Sequence, residues 1–304
     1  MKVMIWIQSP QLPLLAPALN VIARTYGALE FVGMYSLSDT HTQGALRVPL
    51  TINGKQLTLL DEKSLATVEH DIVIVGGVNI KMSAVLKEAA RLGLDEDKIV
   101  LDRTVCVPGF TLEKYKQLRH SQLSIFSQNC WGGLICHLFG LQFRSPTVNL
   151  IVKNFMKLFG NPQYYFEKEL RYFKLSEGNF RGSKWKYPTF LLGDIEMHML
   201  HYNDIEQARE QWERRRLKIN WYNALIMTFT EDRKILEEFD QLPFAKKVCY
   251  VPFQTDLNSG YYIPPKFIRG RSFGEAVLDT AHNFVHSHDL WDMLLYGKKT
   301  PLNA

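Results

Sequence analysis

Over its first hundred residues the chain alternates apolar runs of strand length with amphipathic stretches of helical period. Residues 3–7 and 29–35 read as strands, with a helix over 14–26 between them. Residues 46–60 carry Asn53-Gly54, the strongest short-range hairpin signal. The run Ile72-Val73-Ile74-Val75 ends in Gly76-Gly77, as a strand buried on both faces of a parallel sheet does. A helix over 82–92, stopped by Gly93, and a strand over 98–101 complete a βαβ alternation. A small doubly wound α/β domain over residues 1–119 is the expectation.

The pattern resumes at residues 123–126, an apolar strand running into a glycine turn and a helix over 133–140. Residues 150–159 and 162–173 read as helices, 176–186 as a loop, 188–193 as a strand and 205–218 as a charged helix. Strands at 224–229 and 247–252 flank a helix at 232–241; beyond Asp256 the chain reads as irregular, with a last helix at 273–288. The second domain, 120–304, is therefore expected to be α/β too. The fold class is two Rossmann-like three-layer domains, the first a small degenerate one.

Composition sharpens this picture in three respects. A chain 46% hydrophobic and 22% charged is that of a globular protein. Its excess of 36 basic over 31 acidic residues mildly favours an anionic substrate or membrane surface and does not point to nucleic acid. The apolar stretch within Met1–Ile7 is shorter than the ~7–15 residues of a signal peptide core. No apolar run approaches the ~20 residues of a transmembrane helix, so a cytoplasmic location is expected, with peripheral contact to a membrane or a glycosyltransferase left open. Cys106, Cys130, Cys136 and Cys249 lack CxxC spacing and are expected to be reduced thiols.

The chemistry concentrates in two stretches. Ser127-Gln128-Asn129-Cys130-Trp131-Gly132-Gly133 places a thiol between a strand and a helix start, where unpaired N–H groups favour anions and lower a thiol pKa. Ser127, Asn129, Trp131, Gly132 and Gly133 are the substrate-binding candidates around it. A lone cysteine is otherwise a small buried apolar residue, and that bland reading stands beside the reactive one. The second stretch, Asp194-Ile195-Glu196-Met197-His198-Met199-Leu200-His201, offers His201 or His198 as a base for Cys130. Asp194 or Glu196 would fix the imidazole.

Alternation along a strand would also set Asp194, Glu196 and His198 on one face, as ligands of a divalent cation. Such mixtures are common without metal, and no metal is expected. Arg215, of the run Arg214-Arg215-Arg216, is the arginine that would suit a phosphate or carboxylate. Gly76 and Gly77 stand where a Rossmann fold holds a cofactor, yet without GxGxxG spacing; no particular cofactor follows. Arg269, Arg271, His282, His286 and His288 lack an HExxH carboxylate and read first as polar surface.

Five ordered motifs carry a resemblance. They are the stretch 127–133, Ser145-Pro146-Thr147-Val148, the stretch from Tyr187-Pro188 to His201-Tyr202, Trp212-Glu213-Arg214-Arg215, and Phe239-Asp240-Gln241-Leu242-Pro243-Phe244. Together, over about residues 121–255, they resemble a bacterial domain-of-unknown-function family whose members are labelled exopolysaccharide biosynthesis proteins. The resemblance implies cell-surface polysaccharide assembly, with a transferase acting on a sugar nucleotide or lipid-linked sugar as the first expectation. A fainter likeness links Cys130, Ser145-Pro146, His201 and Arg214-Arg215 to a papain-like cysteine peptidase family, although Pro146-Thr147-Val148-Asn149 departs from the Pro-Phe-Asp-Trp element found there. The alternatives are a non-catalytic module that binds a sugar nucleotide or a protein partner, and a cysteine hydrolase or acyltransferase using Cys130 and His201. All thiol chemistry requires those two residues to meet.

Overall fold

The first apolar runs do form the expected parallel sheet. A computed structural model of the chain describes residues 1–8, 11–37, 50–52, 54–180, 183–268, 270–282 and 289–300. It divides into two compact units, residues 1–116 with 137–142, and residues 117–136 with 143–304. In the first unit, β1 (Lys2–Ile7), β2 (Glu30–Ser36), β5 (Ile72–Gly76) and β6 (Ile99–Leu101) lie in the order β2-β1-β5-β6, all neighbours parallel. Winding to one side of β1 for β2 and to the other for β5 makes the sheet doubly wound. Helices α1 (Leu15–Tyr26), α2 (Glu62–Leu65), α3 (Met82–Arg91) and α4 (Asp102–Val105) connect the strands. The described part of the Asn53-Gly54 hairpin is a two-stranded ribbon, β3 (Thr51–Ile52) against β4 (Lys55–Gln56). Continuous apolar sequence is explained by burial: every residue of β5 and β6 is buried.

The second unit holds two sheets. Helix α5 (Leu112–His120) leads to β7 (Ser124–Ser127) and α6 (Trp131–Phe139), and both helices cross the division between the units. β7 is the edge of a parallel sheet ordered β14-β13-β12-β7, with β12 (Ala224–Phe229), β13 (Lys246–Val251) and β14 (Gly260–Tyr262). The second sheet is antiparallel, ordered β8-β11-β10-β9, from β8 (Ile151–Val152), β9 (Leu170–Phe180), β10 (Ser183–Leu192) and β11 (Ile195–His198). Helices α7 (Phe155–Gly160) and α8 (Pro162–Phe166) connect β8 to β9 within it, α9 (Ile205–Arg216) leads from β11 to the parallel sheet at β12, and α10 (Arg233–Asp240), α11 (Phe273–His282) and α12 (Leu290–Tyr296) follow. One core serves both sheets: Phe126, Ile226, Cys249 and Val251 pack in a cluster with Phe190, Leu192, Ile195, Met197, Phe159 and Trp212.

The helices expected over 150–159 and 162–173 are shorter: residues 151–152 pair as β8, and the helix after Pro162 stops at Phe166. The loop expected over 176–186 is instead part of the β9–β10 hairpin, of which 181–182 lie outside the described residues. Its first strand mixes aromatic and charged residues and is exposed at every position from Arg171 to Leu175, so no burial period marks it. The tail adds β14 and α12. Residues 269 and 283–288, including Arg269, His286 and His288, lie outside the described residues.

Candidate active site

Why Cys130 and His201 meet can be followed along the backbone. Ser127 ends β7, and Gln128 stays in line with the sheet by donating its N–H to the Met227 carbonyl. The Gln128 carbonyl then accepts from the N–H of Val152 in β8. β8 pairs antiparallel with β11, Val152 opposite Met197 and Ile151 opposite His198. The chain leaves β11 at His198 and turns, Tyr202 N–H donating to the Met199 carbonyl at 3.1 Å. Arg215 from α9 fixes this turn: its Nη1 donates to Tyr202 Oη at 2.8 Å and to the Val148 carbonyl at 3.3 Å. The result is Cys130 Sγ 3.3 Å from His201 Nε2, across 71 residues of sequence.

That distance is a sulfur hydrogen bond, in the geometry a nucleophile and its base require. Both groups rest neutral. Burial pushes the Cys130 thiol up to about 11 and pulls the His201 imidazole below its usual value. A neutral imidazole at pH 7 accepts a proton, whereas a thiol near 11 holds its own: only about one in 10⁴ is thiolate at pH 7. Proton transfer to His201 therefore accompanies attack by sulfur instead of preceding it.

The turn around Cys130 is built from inside. Asn129 Oδ1 accepts from Trp131 N–H at 3.0 Å, Ser127 Oγ accepts from Gly132 N–H at 3.0 Å, and Leu134 N–H closes the first turn of α6 on the Cys130 carbonyl. Ser127 also donates its hydroxyl to the Asn129 carbonyl at 2.6 Å and takes its own place from Thr147 Oγ1, which accepts its N–H. Cys130 is thus the residue that precedes α6, and two of the helix's early N–H groups are already engaged. Ser127, Asn129, Trp131, Gly132 and Gly133, expected as substrate contacts, are all buried. They shape the turn that presents the thiol.

The two glycines are there for space. A Cβ on Gly132 would lie 2.8 Å from Ser127 Oγ, and one on Gly133 only 2.0 Å from Asn149 Oδ1. Asn149 itself holds a left-handed φ of 63°. Gly133→Ala is expected to destabilise the protein by about 1–3 kcal/mol, as overpacking does. Denaturant unfolding measures it, and an unchanged midpoint would show that Asn149 moves aside freely.

The carboxylates do not complete a triad. Asp194 sits in the β10–β11 turn, where it is bonded to Lys157 and accepts from Tyr165 Oη at 3.0 Å, contacts that hold its carboxyl below the usual range. His198 faces Tyr187, Nδ1 to Oη 3.2 Å, and its Nε2 lies 3.2 Å from Glu196 Oε2 without the alignment of a hydrogen bond. Burial, the first cause, and Lys153 lower the His198 pKa against the opposing pull of Glu196. Glu196 also lies 3.8 Å from Lys174 Nζ. Among the described residues no three His, Cys, Asp or Glu side chains gather as metal ligands would. Cys130 and His201 stand as a dyad.

Arg215 is 7% exposed and pairs with no carboxylate among the described residues; its charge is met by Tyr202, the Val148 carbonyl and the Phe143 ring 5.1 Å away. It holds the His201 turn. Tyr202, Thr147 and Asn149 are the supporting residues that sequence reasoning passed over, although two of them lie inside the quoted motifs and Asn149 follows one directly. In the first unit, Gly76 ends β5 and its carbonyl accepts from Gln8 N–H. The space beside it is filled, since a Cβ there would lie 3.0 Å from Leu12 Cδ2. Gln8 Oε1, just past the end of β1, and Asp102 Oδ2 and Arg103 Nε, just past the end of β6, are buried, each without a hydrogen-bond partner among the described residues. Burial raises the Asp102 pKa, while backbone N–H groups of Arg103 and Gly77 oppose the rise.

Comparison with known proteins places this architecture in a family. Residues 103–287 match the model of a domain of unknown function, DUF1919, and the chain belongs to that family. An uncharacterized protein of Haemophilus influenzae is 30% identical over 155 residues, covering 49% of this chain and 71% of the relative. Among solved structures a dehydrogenase (MviM) from Clostridium difficile aligns over 62% of this chain and 66% of its own at 8% identity, with a TM-score of 0.23. At that score the alignment bears on neither fold nor activity. No helix among the described residues is long and apolar enough to cross a membrane.

Proposed function

We propose that this DUF1919 protein is a thiol-dependent acyl-transfer enzyme, with Cys130 as nucleophile and His201 as its base. The 3.3 Å approach of Cys130 Sγ to His201 Nε2 carries the reading. Sulfur attacks the carbonyl carbon of an acyl ester or thioester as its proton passes to His201 Nε2. Collapse of the adduct breaks the bond to the leaving group, which takes that proton, and Cys130 keeps the acyl group. An acceptor hydroxyl then attacks the acyl carbon and gives its proton to His201, which passes it to the Cys130 sulfur as the acyl–sulfur bond breaks, restoring the neutral dyad. With the resemblance of the motifs to exopolysaccharide biosynthesis proteins, the acceptor is a sugar hydroxyl of a surface-polysaccharide precursor; with water as acceptor the same dyad is a hydrolase.

The test is mass spectrometry of the protein after incubation with short-chain acyl thioesters. An acyl adduct on the peptide carrying Cys130, absent from Cys130→Ala and turned over by added sugar acceptors, is expected. If no donor of a broad ester and thioester panel leaves an adduct, the assignment fails. One observation favours a second reading, a non-catalytic sugar-nucleotide or partner-binding module: a thiol pushed up to about 11 is not a standing thiolate. Under that reading His201 is a hydrogen-bond partner only, and its replacement leaves Cys130 reactivity toward acyl donors unchanged.

A further inference from the structure

Where α9 ends, the chain does something at odds with burial of its apolar side chains. Leu217 is 81% exposed and Tyr222 fully exposed, and Trp221 between them is 41% exposed. Arg214 and Lys218 flank them, and neither pairs with a carboxylate among the described residues; Arg214 bonds to Gln211. The turn is pinned in this form. Asn220 N–H donates to Ser124 Oγ at 2.9 Å, Asn223 Nδ2 to the Ser121 carbonyl at 2.7 Å, and Lys246 Nζ to Asn223 Oδ1 at 2.7 Å. Trp221 lays one face on Phe126, ring centroids 5.1 Å apart and planes 12° from parallel. The backbone and the indole are held, so Leu217 and Tyr222 stay presented to solvent.

We infer that this turn docks on an anionic membrane surface. Leucine enters the acyl boundary, tryptophan and tyrosine prefer the headgroup level, and unpaired lysine and arginine beside them meet lipid phosphates. A second copy of the chain fits less well, because two such turns face to face oppose Arg214 and Lys218 with their own likes. The turn precedes β12 and is bonded to Ser124 at the start of β7, whereas Cys130 follows the end of β7. Docking there leaves the opposite end of the parallel sheet, and the dyad, open to water.

Sedimentation of the full-length protein with vesicles of phosphatidylcholine, with and without phosphatidylglycerol, tests the inference. Binding to the anionic vesicles at low salt, falling as salt rises, is expected. Leu217→Ser with Tyr222→Ser should weaken it at least tenfold, and Arg214→Glu with Lys218→Glu should remove the preference for phosphatidylglycerol, each lost charge counting for roughly fivefold. Leu217, Tyr222 and Arg214 are exposed and Lys218 is half-buried, so unchanged circular dichroism and melting are expected and checked. Brominated lipids should quench tryptophan emission, and in a Trp185→Phe background Trp221→Phe should remove most of that quenching, since Trp6, Trp131, Trp212 and Trp291 are buried and Trp185 is half-buried. No binding to anionic vesicles, equal binding by the variants, or a concentration-dependent dimer that the Leu217/Tyr222 variant abolishes would each overturn it.

Discussion

Replacing Cys130 by alanine is expected to abolish acyl transfer, and His201→Ala to lower its rate by roughly 10³-fold or more, the scale of losing one member of a nucleophile–base pair. Sulfur is the only atom of the site that can hold the acyl group in the proposed cycle, so its loss leaves no slower route through the same intermediate. His201 acts when proton transfer accompanies attack, and it does so with a thiol that burial keeps protonated. The pH dependence follows from the two directions. Activity needs His201 neutral, and burial lowers its pKa from 6.5, so the acid limb falls below that value. The thiol ionises at about 11, so the rate is level from about pH 7 to about pH 10. Alkylation of Cys130 by iodoacetamide in the absence of substrate, which reads thiolate alone, should instead climb about tenfold per pH unit from 7 to 10. A plateau of alkylation beginning below pH 7 would mean a resting thiolate–imidazolium pair and contradict the neutral dyad. Asp194→Asn should leave all of these profiles in place, because Asp194 is bonded to Lys157 and Tyr165 and not to His201.

The largest loss of stability is expected at Trp131, next to the nucleophile. Its side chain is 0% exposed, its Nε1 donates to Thr280 Oγ1 at 2.8 Å, and its ring centroid lies 5.9 Å from that of Tyr250. Trp131→Ala removes the largest side chain from the first turn of α6 and leaves a cavity, at about 3–5 kcal/mol. Trp131→Phe keeps most of the packing and gives up the Thr280 hydrogen bond, about 1 kcal/mol plus the unpaired hydroxyl. Guanidinium unfolding of the two variants separates a core role from a substrate-binding one. A tryptophan that only contacts substrate would change KM and leave the unfolding midpoint where it was.

Sequence alone determined more of the first unit than of the second. Val3–Ile7 and Ile72–Val75 are buried on both faces, so continuous apolar sequence and parallel strand coincide, and the glycine after β5 marked its end. The same reasoning found β7, β12 and β13. It failed for β9, whose exposed Tyr172, Phe173 and Leu175 give neither a period of two nor a buried run. Ile151 and Val152 were read into a helix because two residues cannot display a period, and only pairing with β11 makes them a strand.

The candidate site divides in the same way. Residue types and glycine spacing determined that Cys130 lies between a strand and a helix start, and the histidine stretch was the evident source of a base. Which histidine reaches the sulfur was decided by tertiary structure: the β10–β11 register sets His198 beside Tyr187 and Glu196, and the next turn, held by Tyr202 and Arg215, delivers His201 to sulfur. The contacts of the neighbours were decided there too: Asn129 Oδ1 and Ser127 Oγ bond within their own turn. Local sequence records propensity and spacing, and these suffice where an element's burial is uniform. A contact between residues 130 and 201 depends on strand register and on an arginine 14 residues further on, quantities that no local pattern contains.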